Sequence, residues 1–126
     1  MQASMYNGLC LAYIGDSIFE IYIRKYILSL GVTKVKDLHK RVTEYTCGEA
    51  QASFMYYLIN ENILTENEIS YYKRGRNSHV NSNRKNIDIK TYLDATGFEA
   101  LIGYLYLDNQ IERLEELIDI VIKLRR

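Results

Sequence analysis

Apolar positions recur along this chain at three- and four-residue intervals, the spacing that lines one face of an α-helix. Leu11, Ile14, Ile18 and Ile21 make one such face in a first helix, expected from about Asn7 to Leu30, with Gly31 suited to the left-handed residue that closes a helix. Thr33 is placed to cap a second helix in which Val35, Leu38, Val42 and Tyr45 repeat, with Lys36, Lys40 and Arg41 elsewhere on its circumference. Thr46 with Glu49, and Thr65 with Glu68, both have capping-box spacing. The first pair opens a third helix through Ala50, Phe54, Tyr57 and Leu58 to about Asn60; the second opens a short helix ending near Arg74 or Gly75. A helix from about Lys90 to Leu107 carries TYLDATGFEALIGYLYL. A last one, from about Gln110 to Lys123, packs through Ile111, Leu114, Leu117, Ile118, Val121 and Ile122. With no proline to interrupt them, these elements predict an all-α chain.

One stretch breaks the pattern. Arg74 to Lys90, RGRNSHVNSNRKNIDIK, is polar and has no sustained period, so it reads as a long loop, and loops of that length inside a compact domain are uncommon unless functional or disordered. Formal net charge is zero, which argues against a nucleic-acid partner until its distribution is considered. Lys73 to Lys90 holds six basic residues against Asp88 alone, a net of +5 that leaves −5 elsewhere. Arg76 and Asn77 stand together there, and both side chains donate hydrogen bonds to anionic oxygens.

At 126 residues the chain is expected to form a single domain. No apolar run approaches the roughly 20 residues needed to cross a bilayer, and MQASMYNG lacks the layout of a signal peptide, so a soluble, cytoplasmic protein with no membrane partner is expected. Cys10 and Cys47 have no CxxC partner and are expected to be buried free thiols.

Two carboxylates sit where apolar residues are expected. Asp16, in LAYIGDSIFE, shares an i, i+4, i+8 stripe with Ala12 and Glu20 and is expected to be semi-buried; Glu99 is enclosed by Phe98, Ala100, Leu101 and Ile102. An ionised carboxylate among apolar neighbours needs a hydrogen bond, a cation or a metal. A structural ion pair with a nearby Lys or Arg meets that need. So does one site in which Asp16 and Glu99 share a divalent cation, and Gly15, Gly97 and Gly103 would let the elements come close enough. A hard cation, two carboxylates and a basic loop suit phosphodiester hydrolysis. On residue types alone a helical protein-interaction domain is favoured over that reading.

LAYIGDSIFE and TGFEALIGYLYLD resemble the two signature segments of the ribonuclease III catalytic domain, whose patterns run approximately LEFLGDAVL and DxxEALIGAIYLD. The order and the helical interval between them also match. With RGRN at Arg74 to Asn77 and nothing after the final helix to form a double-stranded-RNA-binding domain, the chain is most similar to the compact branch of that family, the Mini-ribonucleases III. The resemblance spans nearly the whole chain and implies a ribonuclease III-like helical bundle acting as a homodimeric, Mg²⁺-dependent endoribonuclease, with Mn²⁺ as a substitute. Its substrate would be double-stranded RNA, in particular the precursor of large-subunit (23S) ribosomal RNA, with 5′-phosphate and 3′-hydroxyl products. A ribosomal protein or a folded RNA context would be the expected helper.

The resemblance makes Asp16 and Glu99 the catalytic metal ligands. Two further acids of the longer enzymes are replaced here by Ala12 and Thr96, leaving Thr96 and Glu20 as outer-sphere candidates. Glu20 also has Arg24 at i+4 as an ion-pair partner. Asp94 lies about 140° around the helix from Glu99 and is placed outside the site. Expected phosphate contacts are Arg74, Arg76, Asn77, His79, Arg84 and Lys85, with Lys40 and Arg41 secondary, while Tyr13 resembles the aromatic position through which protomers interlock. His39 is assigned to surface or packing. The rival from another class is an inactive ribonuclease III-like RNA-binding scaffold, which the missing acids keep open.

Overall fold

The structure, a computed structural model, describes residues 1–78 and 88–126. After a short 3₁₀ turn at Ala3–Met5 come six α-helices: α1 (Gly8–Ser29), α2 (Val35–Thr46), α3 (Gly48–Asn60), α4 (Glu66–Arg76), α5 (Ile89–Leu107) and α6 (Ile111–Arg125). Among the described residues there is no strand, and the all-α expectation holds. No helix of these residues is long and apolar enough to cross a membrane.

α5 is the axis of the bundle. From Ala95 to Leu105 every residue but Glu99 is buried, because α1, α3 and α4 all pack against it. α1 crosses α5 at two glycines. A Cβ on Gly15 would collide with the Glu99 backbone, and one on Gly103 with the Leu11 carbonyl, so each glycine admits the backbone of the other helix. Phe19, Phe54 and Phe98 meet beneath that crossing, with Phe19 and Phe98 edge to face at 5.1 Å between centroids. α6 closes the far side through Leu114, Leu117, Ile118, Val121 and Ile122, and the Arg113 guanidinium ties it to buried Glu68 at 2.7 Å and to the Ile63 carbonyl.

Several local expectations change. Thr65 and Glu68 do form a reciprocal capping box, but Thr46 is the last residue of α2, so Cys47 begins α3 with no side-chain cap. Likewise α2 starts after Lys34 rather than from a Thr33 cap. Gly75 does not end α4: it lies against Ala100 and the backbone at Thr96 and Gly97, and the helix runs on to Arg76. Arg74 and Arg76 are therefore helical, and Asn77 is the C-cap. Ile21, expected in the core, is 60% exposed, since α1 turns its buried face through Leu11, Gly15, Phe19 and Ile23 instead. Both cysteines are free, but Cys10 is exposed and Cys47 half-buried.

Candidate active site

The α1–α5 crossing that needs Gly15 also fixes the neighbourhood of Asp16. With Gly15 seated on the Glu99 backbone, Asp16 emerges beside Glu99, and the two line one cleft of about 440 Å³. α1 contributes Leu9, Ala12 and Tyr13 to it, and α5 contributes Tyr92, Ala95 and Thr96. The junction of α2 and α3 completes the lining with Thr46, Gly48 and Gln51. Two carboxylates from distant parts of the chain thus share a concave, water-accessible site.

The semi-buried environment expected for Asp16 is not what forms. Asp16 is exposed, because its position on α1 faces away from the core, whereas Glu99 is half-buried. Desolvation is thus not the feature that distinguishes Asp16; its placement in the cleft is. Ala12 is buried in the cleft wall, and Thr96 is buried with its hydroxyl donating to the Tyr92 carbonyl at 3.0 Å. Glu20 pairs with Arg24 at 2.6 Å and lines a neighbouring hollow with Asp16, so the ion-pair reading of Glu20 is realised one helical turn from the cleft.

The basic residues separate by role. Arg74 donates to the Ser4 and Tyr6 carbonyls and lies over the Tyr71 ring, clamping the N-terminal turn onto α4. Arg76 donates from Nε to Asp94 at 3.0 Å, and Asp94 also accepts from Tyr72 and Lys90. Burial pushes the Asp94 carboxyl up, but these three donors outweigh it and hold the group below its ordinary value; burial and the same contact push the Tyr72 hydroxyl up to about 12. Asp94 belongs to this brace between α4 and α5, away from the cleft. Asn77 is exposed at the end of α4. His79, Arg84 and Lys85, and the core of the expected loop, lie outside the described residues. Lys40 is exposed and Arg41 half-exposed on α2, lining a separate hollow with Lys34. Tyr13 is 83% exposed at the mouth of the cleft.

Sequence reasoning missed the α2–α3 wall. Gln51 is 2% exposed, and its Nε2 has no hydrogen-bond partner among the described residues. The signal was present: Gln51 precedes Phe54, Met55 and Leu58 at i+3, i+4 and i+7, the same polar-on-core-face anomaly that singled out Asp16 and Glu99.

Among the described residues there is no group of three or more His, Cys, Asp or Glu side chains arranged to hold a metal. Two carboxylates, one of them exposed, suit an ion that keeps most of its water, as Mg²⁺ does, rather than one enclosed by protein ligands.

The ribonuclease III domain family matches residues 9–110 of the chain. The Mini-ribonuclease 3 of Enterococcus faecalis is 55% identical over 117 residues, 93% of this chain and 89% of its own length. That of Streptococcus pneumoniae is 41% identical over 118 residues, 94% of this chain and 92% of its own. A crystal structure of a Fusobacterium nucleatum protein superposes with a TM-score of 0.85 at 34% identity, covering 94% of this chain and 93% of that one.

Proposed function

The chain belongs to the ribonuclease III family and is an endoribonuclease of double-stranded RNA; from that premise we propose that residues 1–126 act as one catalytic domain whose centre is the Asp16–Glu99 cleft. The observation that carries the assignment is the Gly15 crossing, which sets the two carboxylates of the signature segments on one surface hollow.

Asp16 and Glu99 would hold Mg²⁺, or Mn²⁺ in its place, with Thr96 in the same cleft lining and Glu20, paired with Arg24, one turn away as the outer-sphere candidates. The ion, when bound, supplies charge neutralisation at the scissile phosphate and lowers the pKa of the attacking water. The chain's own residues do the rest. The carboxylates would orient the hydrated ion, the exposed Asp16 leaves room for a duplex to approach, and buried Ala12 adds no charge to the cleft lining. No side-chain nucleophile is required, and the products carry 5′-phosphate and 3′-hydroxyl ends.

The enzyme works as a homodimer. Support comes from the outer face of α1, where Leu9 and Tyr13 are exposed at the cleft and Ile21 and Leu28 further along the helix, apolar side chains among polar ones that a second protomer would cover. Two clefts related by a two-fold axis then address the two strands of one duplex. Duplex RNA is read by shape and phosphates, and Asn77, His79, Arg84 and Lys85 supply those contacts, with Lys40 and Arg41 further out and Arg74 and Arg76 contributing charge from the clamp and from the Asp94 brace. In the cytoplasm the substrate is the precursor of 23S ribosomal RNA, presented in its folded context or with a ribosomal protein.

The test is cleavage of a labelled RNA duplex with Mg²⁺ by the parent protein, Asp16→Asn and Glu99→Gln. Both variants are expected to lose cleavage and keep duplex affinity. The Asp16 variant should also keep the melting temperature, because exposed substitutions usually shift stability by no more than about 0.5 kcal/mol. Binding without cleavage by the parent, across Mg²⁺ and Mn²⁺ concentrations, would instead support an inactive RNA-binding scaffold.

A further inference from the structure

The part of the cleft lined by the start of α3 is polar in an unusual way. α3 starts at Gly48 directly from Cys47, which offers no side-chain cap, so the first amides of this 13-residue helix lack the partner that a Ser, Thr or Asp would supply. Gly48 lines the cleft and has no side chain to cover them. In the same turn Gln51 lines the cleft with its amide almost wholly buried, and its Nε2 donates to nothing among the described residues. A buried donor without an acceptor destabilises the fold and is rarely retained without a use. The backbone at Gln51 is satisfied, its N–H donating to the Cys47 carbonyl at 3.1 Å, so the vacancy belongs to the side chain alone.

We propose that the start of α3, Gly48 with Gln51, is a phosphate subsite that holds a backbone phosphate of the RNA strand in the cleft of Asp16 and Glu99, with Gln51 Nε2 donating to a phosphate oxygen. The helix N-terminus carries a partial positive charge and donors that no side chain caps, which suit an anion better than a neutral sugar hydroxyl. Glu49, the acid of this first turn, is exposed and is not among the residues lining the cleft. The subsite therefore adds neutral donors to a cleft in which Asp16 and Glu99 supply negative charge, and a strand in the cleft meets both. Gln51 is a substrate-binding residue on this reading, which rests on the cleft being the RNA-cleaving centre.

The substitutions are Gln51→Leu, close in volume and without the amide, and Gln51→Glu, which keeps the shape but replaces the donor by an anionic acceptor. Affinity for a short labelled RNA duplex is measured in the Asp16→Asn background, where the strand is not cut. KM and kcat are measured in the otherwise unaltered protein, with melting temperature and oligomeric state recorded for each. Gln51→Leu is expected to weaken duplex binding roughly tenfold or more, the scale of a lost hydrogen bond to a charged group, and to raise KM more than it lowers kcat. Its melting temperature should be unchanged or higher, because an orphaned polar group has been removed. The slope of affinity against salt should also be unchanged, since no cation is lost. Gln51→Glu should bind at least as poorly as Gln51→Leu. Should Gln51→Leu fail to fold, Gln51→Met and Gln51→Glu give the same readouts. Duplex affinity and KM equal to the parent in a folded variant would overturn the subsite while leaving the nuclease assignment intact, as would an effect confined to dimer dissociation. A parent protein that neither binds nor cuts duplex RNA would remove the nuclease assignment and the subsite with it.

Discussion

Gly15→Ala tests whether the helix crossing builds the catalytic cleft. Glycine costs a helix interior about 1 kcal/mol relative to alanine, so local propensity alone makes this substitution stabilising. Packing reverses the sign. A Cβ at this position would stand 2.8 Å from the Glu99 carbonyl carbon and from the Gly103 amide nitrogen, and closer still to the Glu99 carbonyl oxygen. Ordinary contact begins at 3.4 Å, so α1 and α5 must separate by at least about 0.6 Å, and by more to clear the oxygen. All of these obstacles are backbone atoms, which no rotamer change can move. Overpacking of this kind costs about 1–3 kcal/mol, and with rigid obstacles the upper end applies. After the propensity gain the net loss is about 2 kcal/mol, or roughly 8 °C in melting temperature for a domain of this size. The same separation shifts Asp16 relative to Glu99, and a misplacement of about 1 Å at a reacting centre can cost on the order of 100-fold in rate. Melting followed by circular dichroism, with duplex cleavage on the same samples, measures both. Gly31→Ala is the control: its φ of +88° strains a side chain, but nothing lies within 4 Å, so it should lose stability without a matching loss of cleavage at temperatures where both variants are folded. A Gly15→Ala protein as stable and as active as the parent would refute the reasoning.

Two further outcomes follow from the geometry. Arg113→Met leaves Glu68, 4% exposed, without its cation; breaking such a pair costs about 3 kcal/mol or more, to be read from urea midpoints. Burial alone pushes the Glu68 carboxyl up, but hydrogen bonds from Arg113 and the Thr65 amide outweigh it and hold the group below 4.5. Its stabilising effect is therefore complete above about pH 4.5 and lost only as pH falls through the depressed value; in Arg113→Met the decline should start at higher pH, and identical pH profiles would count against the pairing. Tyr13→Ser removes a side chain that is 83% exposed, so monomer stability should hold while dimer dissociation, followed by sedimentation, rises about 30-fold if Tyr13 is an interface anchor; an unchanged dissociation constant would exclude it from the interface.

The helices were legible because their apolar residues repeat over many turns, and α5 shows why their ends and faces were less so. A helix packed on several sides, with Ala95 through Leu105 buried except Glu99, has little face contrast for a periodicity to report. Gly75 looked like a terminator from composition, but its role is contact with Ala100, a partner 25 positions away that no local window contains. Thr46 and Glu49 had the spacing of a capping box and lost it because α2 keeps Thr46, leaving a one-residue junction. Where a local motif and its tertiary setting agree, as for Thr65 and Glu68 beneath Arg113, the motif forms as written.

The candidate site is legible in the sequence, but not through the cost of burying a carboxylate. Asp16 stood out as a costly carboxylate among apolar residues, yet it is exposed and bears no such cost; Ile21, five residues on, is exposed as well. What singles out Asp16 is its neighbour. Gly15 can accept the Glu99 backbone only if α1 lies directly on α5, and that contact necessarily delivers the residue after Gly15 to the edge of the site holding Glu99. The glycine therefore carries more positional information than the acid beside it. Gln51 inverts the case: its side chain does bear the burial cost that Asp16 escapes, but it lies in a helix with no signature glycine, and its meaning emerges only when α3 is seen to line the cleft. Burial cost identifies Gln51 and close backbone contact identifies Asp16, so neither criterion alone finds both walls of the cleft.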